Sequence, residues 1–371
     1  MIVKSLNLRD FRNISELEFA PGPGVNVIFG ENAQGKSNLL EAIWLFTGFR
    51  SFRGAKDREL IRFDQPEARL ELSFYNDIRD MTASLQIGEK KKASLGGVSQ
   101  ENASRLAGEF LAIVFSPANL ELVRGGPAER RRFLNQTLCQ LKPNYAARLA
   151  QFQKVLQERN TLLKDLTYHS ELYDTLEIWD ERFASYSAYL MLERQQYLDT
   201  LHPALKEFYH GISDGKEEIE LCYDTGFSYA SSDGPSLKQE IMEQLVLHRK
   251  DDLITGHTTI GPHRDDLVIK LNDLPVRSFG SQGQQRSAAL SMKMAEAAVI
   301  RDLTGKQPVA LLDDVMSELD IHRQDYILNH IEGWQVFITC CEPSEILRSK
   351  CAVGNMFEMK EGNLCSSTLA S

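Results

Sequence analysis

Residues 30–37 read Gly-Glu-Asn-Ala-Gln-Gly-Lys-Ser, and this segment restricts the possible folds more than any other. The spacing Gly30-x4-Gly35-Lys36-Ser37 lets the backbone curl so that successive N–H groups converge on one anion. The flanks suit that purpose. The β-branched run Val25–Phe29 reads as a buried strand ending at Gly30, and residues 37–46 carry Leu40, Ile43 and Trp44 at helical spacing. A helix starting at the loop adds the positive end of its dipole. In such a loop Lys36 reaches the β- and γ-phosphates and the Ser37 hydroxyl ligates Mg²⁺. The expected ligands are ATP and Mg²⁺, held along Gly30, Glu31, Asn32, Ala33, Gln34, Gly35, Lys36, Ser37 and Asn38.

A phosphate loop needs acids opposite it. Pro308–Asp313 is an apolar run ending in Asp313-Asp314. Asp313 suits a Mg²⁺-holding role with Ser37, and Asp314 suits an acid that orients or deprotonates the attacking water. Two aspartates after a strand say little alone; with the loop they complete a site whose catalytic set is Lys36, Asp313 and Asp314. The two halves lie about 275 residues apart, far more than in compact phosphate-loop kinases. Something large is inserted between them.

The periodicity shows what. Residues 69–97 alternate apolar and polar, with Leu70, Leu72 and Phe74, then Met81, Ala83, Leu85 and Ile87, as a half-buried antiparallel sheet does. Ala112–Phe115 is a short buried strand. From about residue 128 the period turns helical. Tyr145, Leu149, Phe152, Leu156 and Leu163 form one stripe, with Arg159 in an apolar slot. Trp179, Phe183, Tyr186, Leu190 and Tyr197 form a second. The polar stretch 165–174 separates them, so the expectation is a short antiparallel helical hairpin of about three heptads, as a free coiled coil or as packed core helices. Asp224–Pro235 reads as a loop. The final third returns to strands at 308–313 and 336–339, with Cys340-Cys341 expected to continue the second.

Ser281-Gln282-Gly283-Gln284-Gln285-Arg286 opens a helix. It is either a serine cap with a glycine turn or the signature segment of an ABC-type ATPase, whose serine and glycine N–H bind the γ-phosphate held by another protomer. Ser317-Glu-Leu-Asp320 falls where the D-loop of that class lies. The order of phosphate loop, long insertion, signature, acids and D-loop is that of ABC-class ATPases, and the split head resembles their SMC-like branch. Asp10-Phe-Arg12-Asn13 resembles the strand end that lies beside the nucleotide there. Phe115-Ser-Pro, Leu120-Glu-Leu-Val, Gly126–Leu134 and Gly261-Pro-His-Arg-Asp-Asp-Leu267 go further: over essentially all 371 residues the chain resembles the RecF family of bacterial recombination mediators.

The resemblance implies an α/β ABC-type (SMC-like) ATPase head assembled from both chain ends, residues 1–115 and 255–371, with an inserted mainly helical second domain at 116–254. It implies a head-to-head homodimer closed on two ATP molecules. That dimer binds double-stranded DNA near single-stranded gaps, assists RecA loading with RecO and RecR, and is released by slow, weak, DNA-dependent hydrolysis. The chain departs from the wider class at three places. Asp314 stands where most members have Glu, which predicts slow turnover. Thr339-Cys340-Cys341 lacks the switch histidine, leaving Thr339 as a partial substitute. Ser116-Pro-Ala-Asn119 occupies the Q-loop place, with Asn119 the candidate.

Composition bears mainly on partners. The formal net charge of −10 opposes nucleic-acid binding in bulk, yet local basic runs exist: Arg50, Arg53, Lys56 and Arg58; Lys90, Lys91 and Lys92; and Arg130-Arg-Arg132. Each is also what a solvated face looks like, and helical spacing aims the arginine triplet in different directions. His263-Arg264-Asp265-Asp266 reads as an ion-pair network rather than a metal site. The cysteines Cys139, Cys222, Cys340, Cys341, Cys351 and Cys365 form no C-x-x-C pair and read as reduced thiols. No apolar leader or ~18-residue apolar run is present, so a cytoplasmic protein is expected. Two other classes remain for the motif set: another phosphate-loop enzyme such as a small-molecule kinase, which has no use for the distal signature, and a structural SMC-type tether, which the short insertion disfavours.

Overall fold

The computed structural model describes residues 1–350 and 355–366; Cys351 lies outside them. The chain divides into two compact units, one of residues 1–120, 211–215 and 289–371, the other of 121–210 and 216–288. Residues 255–288, expected with the head, gather in the second unit, because Asp266–Leu271 pairs antiparallel with Ile219–Asp224 and with Leu274–Pro275 in a three-stranded sheet.

In the first unit, a six-stranded sheet runs Asn363–Ser366, Met356–Lys360, Val25–Phe29, Val336–Cys340, Val309–Asp313, Ala112–Phe115. All its pairings are parallel except that of the two last strands in sequence. Val336–Cys340 and Val309–Asp313 are buried throughout, as parallel strands covered on both faces must be. The register sets Thr339 beside both Asp313 and Ile28, and Cys340 beside Phe29. Phosphate loop and acids therefore emerge together at the carboxyl ends of the strands, where open α/β sheets bind ligands.

Lys36–Leu45 is the helix that leaves the loop. Residues Leu39–Leu45 are all buried, so it is apolar on every side except at Lys36 and Glu41. A second, antiparallel sheet runs Ile14–Phe19, Ile2–Phe11, Ala68–Tyr75, Asp80–Ile87, Lys92–Leu95, Val98–Gln100. Its core face is the expected alternation: Leu6, Leu8, Leu70, Leu72, Phe74, Ala83 and Leu85 are buried.

The second unit holds the hairpin, as helices Pro143–Asp165 and Leu176–Ser213, the latter running on into the first unit's residues. Phe152 and Phe183 pack at 5.4 Å between ring centroids. The slot taken by Arg159 is fully buried. Its Nε donates to Asp180 Oδ1 and its Nη1 to Asp252 Oδ2, both at 2.7 Å, and Nη1 also to Thr258 Oγ1. A charge sits in this core because two carboxylates meet it there. The loop at 225–233 leads to helix Gly234–Thr255, capped by Asp233, whose side chain accepts the Ser236 amide at 2.9 Å. Among the described residues no helix is long and apolar enough to cross a membrane.

Candidate functional site

The loop between Phe29 and Lys36 is strained for a purpose. Gly30, Ala33 and Gly35 take φ of 144°, 66° and 113°, values natural to glycine and uncommon for Ala33. The loop is held from outside. Gln34 O accepts from Asn13 Nδ2 at 3.1 Å and from the Gly362 amide at 3.0 Å, and Gln34 Oε1 accepts the Glu361 amide at 2.6 Å. The Gly30 amide donates to Cys341 O. Gln34 thus fastens the loop to the Glu361–Gly362 turn, a support for which the sequence offers no signal beyond a glycine. The Lys36 ammonium, nearly buried, donates to Gly30 O and Glu31 O at 2.6 and 2.7 Å, spanning the loop from within.

The acids meet this loop. The Ser37 hydroxyl and the Thr339 hydroxyl both bond the Asp313 carboxylate. Burial raises the pKa of Asp313, while these two donors and the nearby Arg53 guanidinium oppose the rise. A serine hydroxyl against a buried carboxylate is a pair of hard oxygen donors, the chemistry Mg²⁺ selects. Asp314 sits in the left-handed region at φ 53°. Its amide donates to Thr339 Oγ1 at 2.9 Å, and the Ser317 hydroxyl donates to both its carbonyl and its Oδ1. Asp320 caps the helix Ile321–His330 by accepting the Arg323 amide, which holds its carboxyl below the usual range.

Four positions surround the loop differently from expectation. All three Arg12 side-chain nitrogens find protein acceptors: Nε and Nη2 fork onto the fully buried Glu41 at 2.9 Å, and Nη1 meets Glu59 O. Asn38 bridges Asn13 and Arg53, donating to the first and accepting from the second at 2.8 Å. Arg53, expected among DNA-contacting residues, therefore stands beside the phosphate loop. Cys341 is not part of the strand, which ends at Cys340; its exposed thiol donates to Asn32 Oδ1 at 3.2 Å. Glu41 and Arg53 were not legible as site residues, because what joins them is tertiary packing rather than spacing.

The remaining basic positions divide. Arg50, Lys56, Lys90 and Lys92 are exposed. Lys91 pairs with Asp57 at 3.2 Å, which ties the Lys90–Lys92 hairpin to the segment after the loop helix. Arg130 is buried and forks onto Asp266, and Arg131 donates to Asp265 O, so two of the triplet serve the second unit's own fold. His263, Asp265 and Asp266 join that network. Tyr223 donates to Asp265 Oδ2, and His263 bonds Thr258 O with its pKa pushed down to about 4 by burial. Asn119 accepts the Ser116 amide at 2.6 Å and closes its own turn after Ala112–Phe115.

Ser281 and Gln284, in the second unit, form a reciprocal cap. The Gln284 amide donates to Ser281 Oγ at 3.2 Å and the Ser281 amide to Gln284 Oε1 at 2.6 Å. Gln284 also donates to Glu217, and the buried Gln285 is bound by Arg124 and by the Val276 carbonyl. Ser281 and Gln282 are exposed at the start of the helix Gln282–Thr304.

Comparison with known proteins follows the same lines. Residues 2–362 match the family model described as the RecF/RecN/SMC N terminal domain. A DNA replication and repair protein RecF of Lachnoclostridium phytofermentans is 37% identical over 366 residues, 98% of this chain and 99% of that one. That of Acetivibrio thermocellus is 39% identical over 345 residues, 92% and 94% of the two chains. A solved structure of the recombination mediator protein RecF with ATP, in the RecFOR pathway, superposes with a TM-score of 0.92 at 34% identity, covering 99% of this chain and 97% of that one. The phosphate loop, the acids registered beside it and this full-length similarity place the chain in the RecF family, a branch of the ABC-type ATPases with an SMC-like head.

Proposed function

We propose that the protein is an ATP-gated DNA-binding dimer of recombinational repair. The observation that carries this reading is the bonding of Ser37 and Thr339 to one Asp313 carboxylate below the Gly30–Lys36 loop. Gly30–Asn38 cradle the phosphates and Lys36 neutralises them. Ser37 and Asp313 hold Mg²⁺, which draws charge from the γ-phosphate. Asp314 orients the attacking water. Its carboxylate is one methylene shorter than the glutamate usual in the class and is tied to Ser317, which favours slow hydrolysis.

The exposed Ser281 and Gln282, with Gly283 and Gln284, meet the nucleotide of a second copy, with Ser317 and Asp320 lining the seam. A helix start offering free amides suits a γ-phosphate. The relatives' printed role in replication and repair, and the RecFOR pathway of the solved neighbour, favour double-stranded DNA near gaps as the ligand and RecO and RecR as partners. Arg50, Lys56, Lys90 and Lys92 are the exposed cations available to DNA phosphates.

The test is mass in solution with ATP and Mg²⁺ for the wild type, Lys36→Met and Ser281→Arg. An ATP-dependent dimer lost in both variants is expected. A monomer under every condition removes the reading.

A further inference from the structure

Glu41 is a carboxylate with no exposed surface, set one helical turn beyond Ser37 on Lys36–Leu45. A buried carboxylate persists only where donors surround it. Here Arg12 supplies a fork at 2.9 and 2.9 Å, the Ser51 hydroxyl bonds Oε1, and Arg53 Nη1 approaches Oε2 at 4.0 Å. The two arginines are not equivalent. Arg12 is spent on Glu41 and on Glu59 O, so it acts as a strut. Arg53 is 45% exposed at its side chain, touches Glu41 only at the longer distance, and is steered by Asn38, the residue after Ser37, at 2.8 Å. Its backbone is fixed too: the Arg53 amide donates to Ser51 Oγ at 3.0 Å, and Ser51 is itself bound to Glu41.

We infer that Glu41 is a positioning residue that aims the Arg53 guanidinium at the γ-phosphate end of the nucleotide site, through Ser51 and Asn38 on one side and the Arg12 strut on the other. Arg53 then touches the transferred phosphoryl group, where a guanidinium matches paired oxygens. A carboxylate is required at position 41 because every group around it is a donor. A glutamine amide turns one acceptor into a donor facing Arg12 or Ser51. This inference rests on the ATP-site reading above.

The experiment uses the full chain with ATP and Mg²⁺ and records thermal stability, KM and kcat for wild type, Glu41→Gln, Glu41→Asp, Arg53→Gln, the double variant Glu41→Gln/Arg53→Gln, and Lys36→Met. Glu41→Gln is expected to lower kcat roughly 10- to 100-fold, with KM held within about twofold. Arg53→Gln should lose about as much, and the double variant no more than Arg53→Gln alone, since Glu41 acts through Arg53. An unchanged kcat in Glu41→Gln, or losses that multiply in the double variant, overturns the inference. Should Glu41→Gln not fold, Glu41→Asp carries the test. It keeps the charge but withdraws it by a methylene, so a wild-type kcat there overturns the inference equally. Wild-type rates in Lys36→Met sink the ATP-site reading itself, a result distinct from any failure at Glu41.

Discussion

The Thr339 hydroxyl donates to Asp313 Oδ1 at 2.9 Å while accepting the Asp314 amide at the same distance. One side chain, 1% exposed, thus fixes both acids of the site. Valine has nearly the same shape and no hydroxyl. Thr339→Val leaves a buried N–H and a carboxylate oxygen without their partner, and should cost about 1–3 kcal/mol of stability. Urea unfolding measures the loss. Hydrolysis should fall with it, whereas Thr339→Ser retains both; equal unfolding midpoints for wild type and the valine variant would remove this role.

Asp314 sits at φ 53°, which asparagine also tolerates. Asp314→Asn therefore tests chemistry with little backbone penalty. Hydrolysis should drop roughly 10²- to 10⁴-fold, the usual contribution of a positioned base, while ATP-dependent dimers accumulate because they are no longer cleared. Single-turnover hydrolysis and light scattering on the same sample check the pair. An unaltered rate assigns the water to another group.

Arg159 is fully buried between Asp180 and Asp252. Removing it strands two carboxylates, a change that costs about 3–5 kcal/mol. Arg159→Ala and Arg159→Met should be destabilised alike, although methionine refills the volume. If methionine restored wild-type stability, the slot would be one of packing and not of charge.

Burial lifts the Asp265 carboxyl to about 6, against the opposing pulls of the Tyr223 donor and Arg194. A carboxyl raised on folding favours the folded state while it stays protonated. Its contribution is full below its unfolded value of about 4 and is lost as pH rises through about 6. Relative to Asp265→Asn, the wild type should therefore lose stability between about pH 4 and 6. Denaturation curves across that window decide it; parallel curves contradict the assignment.

DNA binding by the exposed Lys90 and Lys92 should appear in the salt dependence. Replacing both with glutamine should reduce the slope of log affinity against log salt by about 2. Lys91, already paired with Asp57, should contribute less. Affinities measured from low to moderate salt with a gapped duplex test this, and an unchanged slope places the contact elsewhere.

Much of the head was legible before the fold was known. The loop Gly30–Ser37 carries a local code, because its geometry needs glycines at fixed offsets. Strands such as Asp80–Ile87 and Val309–Asp313 show in their period. What stayed hidden depends on distant partners. Arg159 breaks an apolar stripe and only the carboxylates of two other segments explain it. Arg53 looks like surface charge until Asn38 and Glu41 are placed around it. Cys341 looked like a strand residue because nothing local marks where Val336–Cys340 stops. The strand Ile219–Asp224 draws residues 266–271 into the second unit through a pairing across more than forty positions.

The sheet order has a consequence for how the molecule is made. Val25–Phe29 lies between Val336–Cys340 and Met356–Lys360, so the loop strand has no sheet neighbour until the last tenth of the chain has been synthesised. A growing chain leaving the ribosome carries an apolar strand and an almost wholly apolar helix with nothing to cover them for more than three hundred residues. Contacts this distant close slowly and leave surface prone to aggregation meanwhile. Truncated or stalled products should accordingly be unable to hold nucleotide and should need chaperones, so that only a finished chain can acquire the switch.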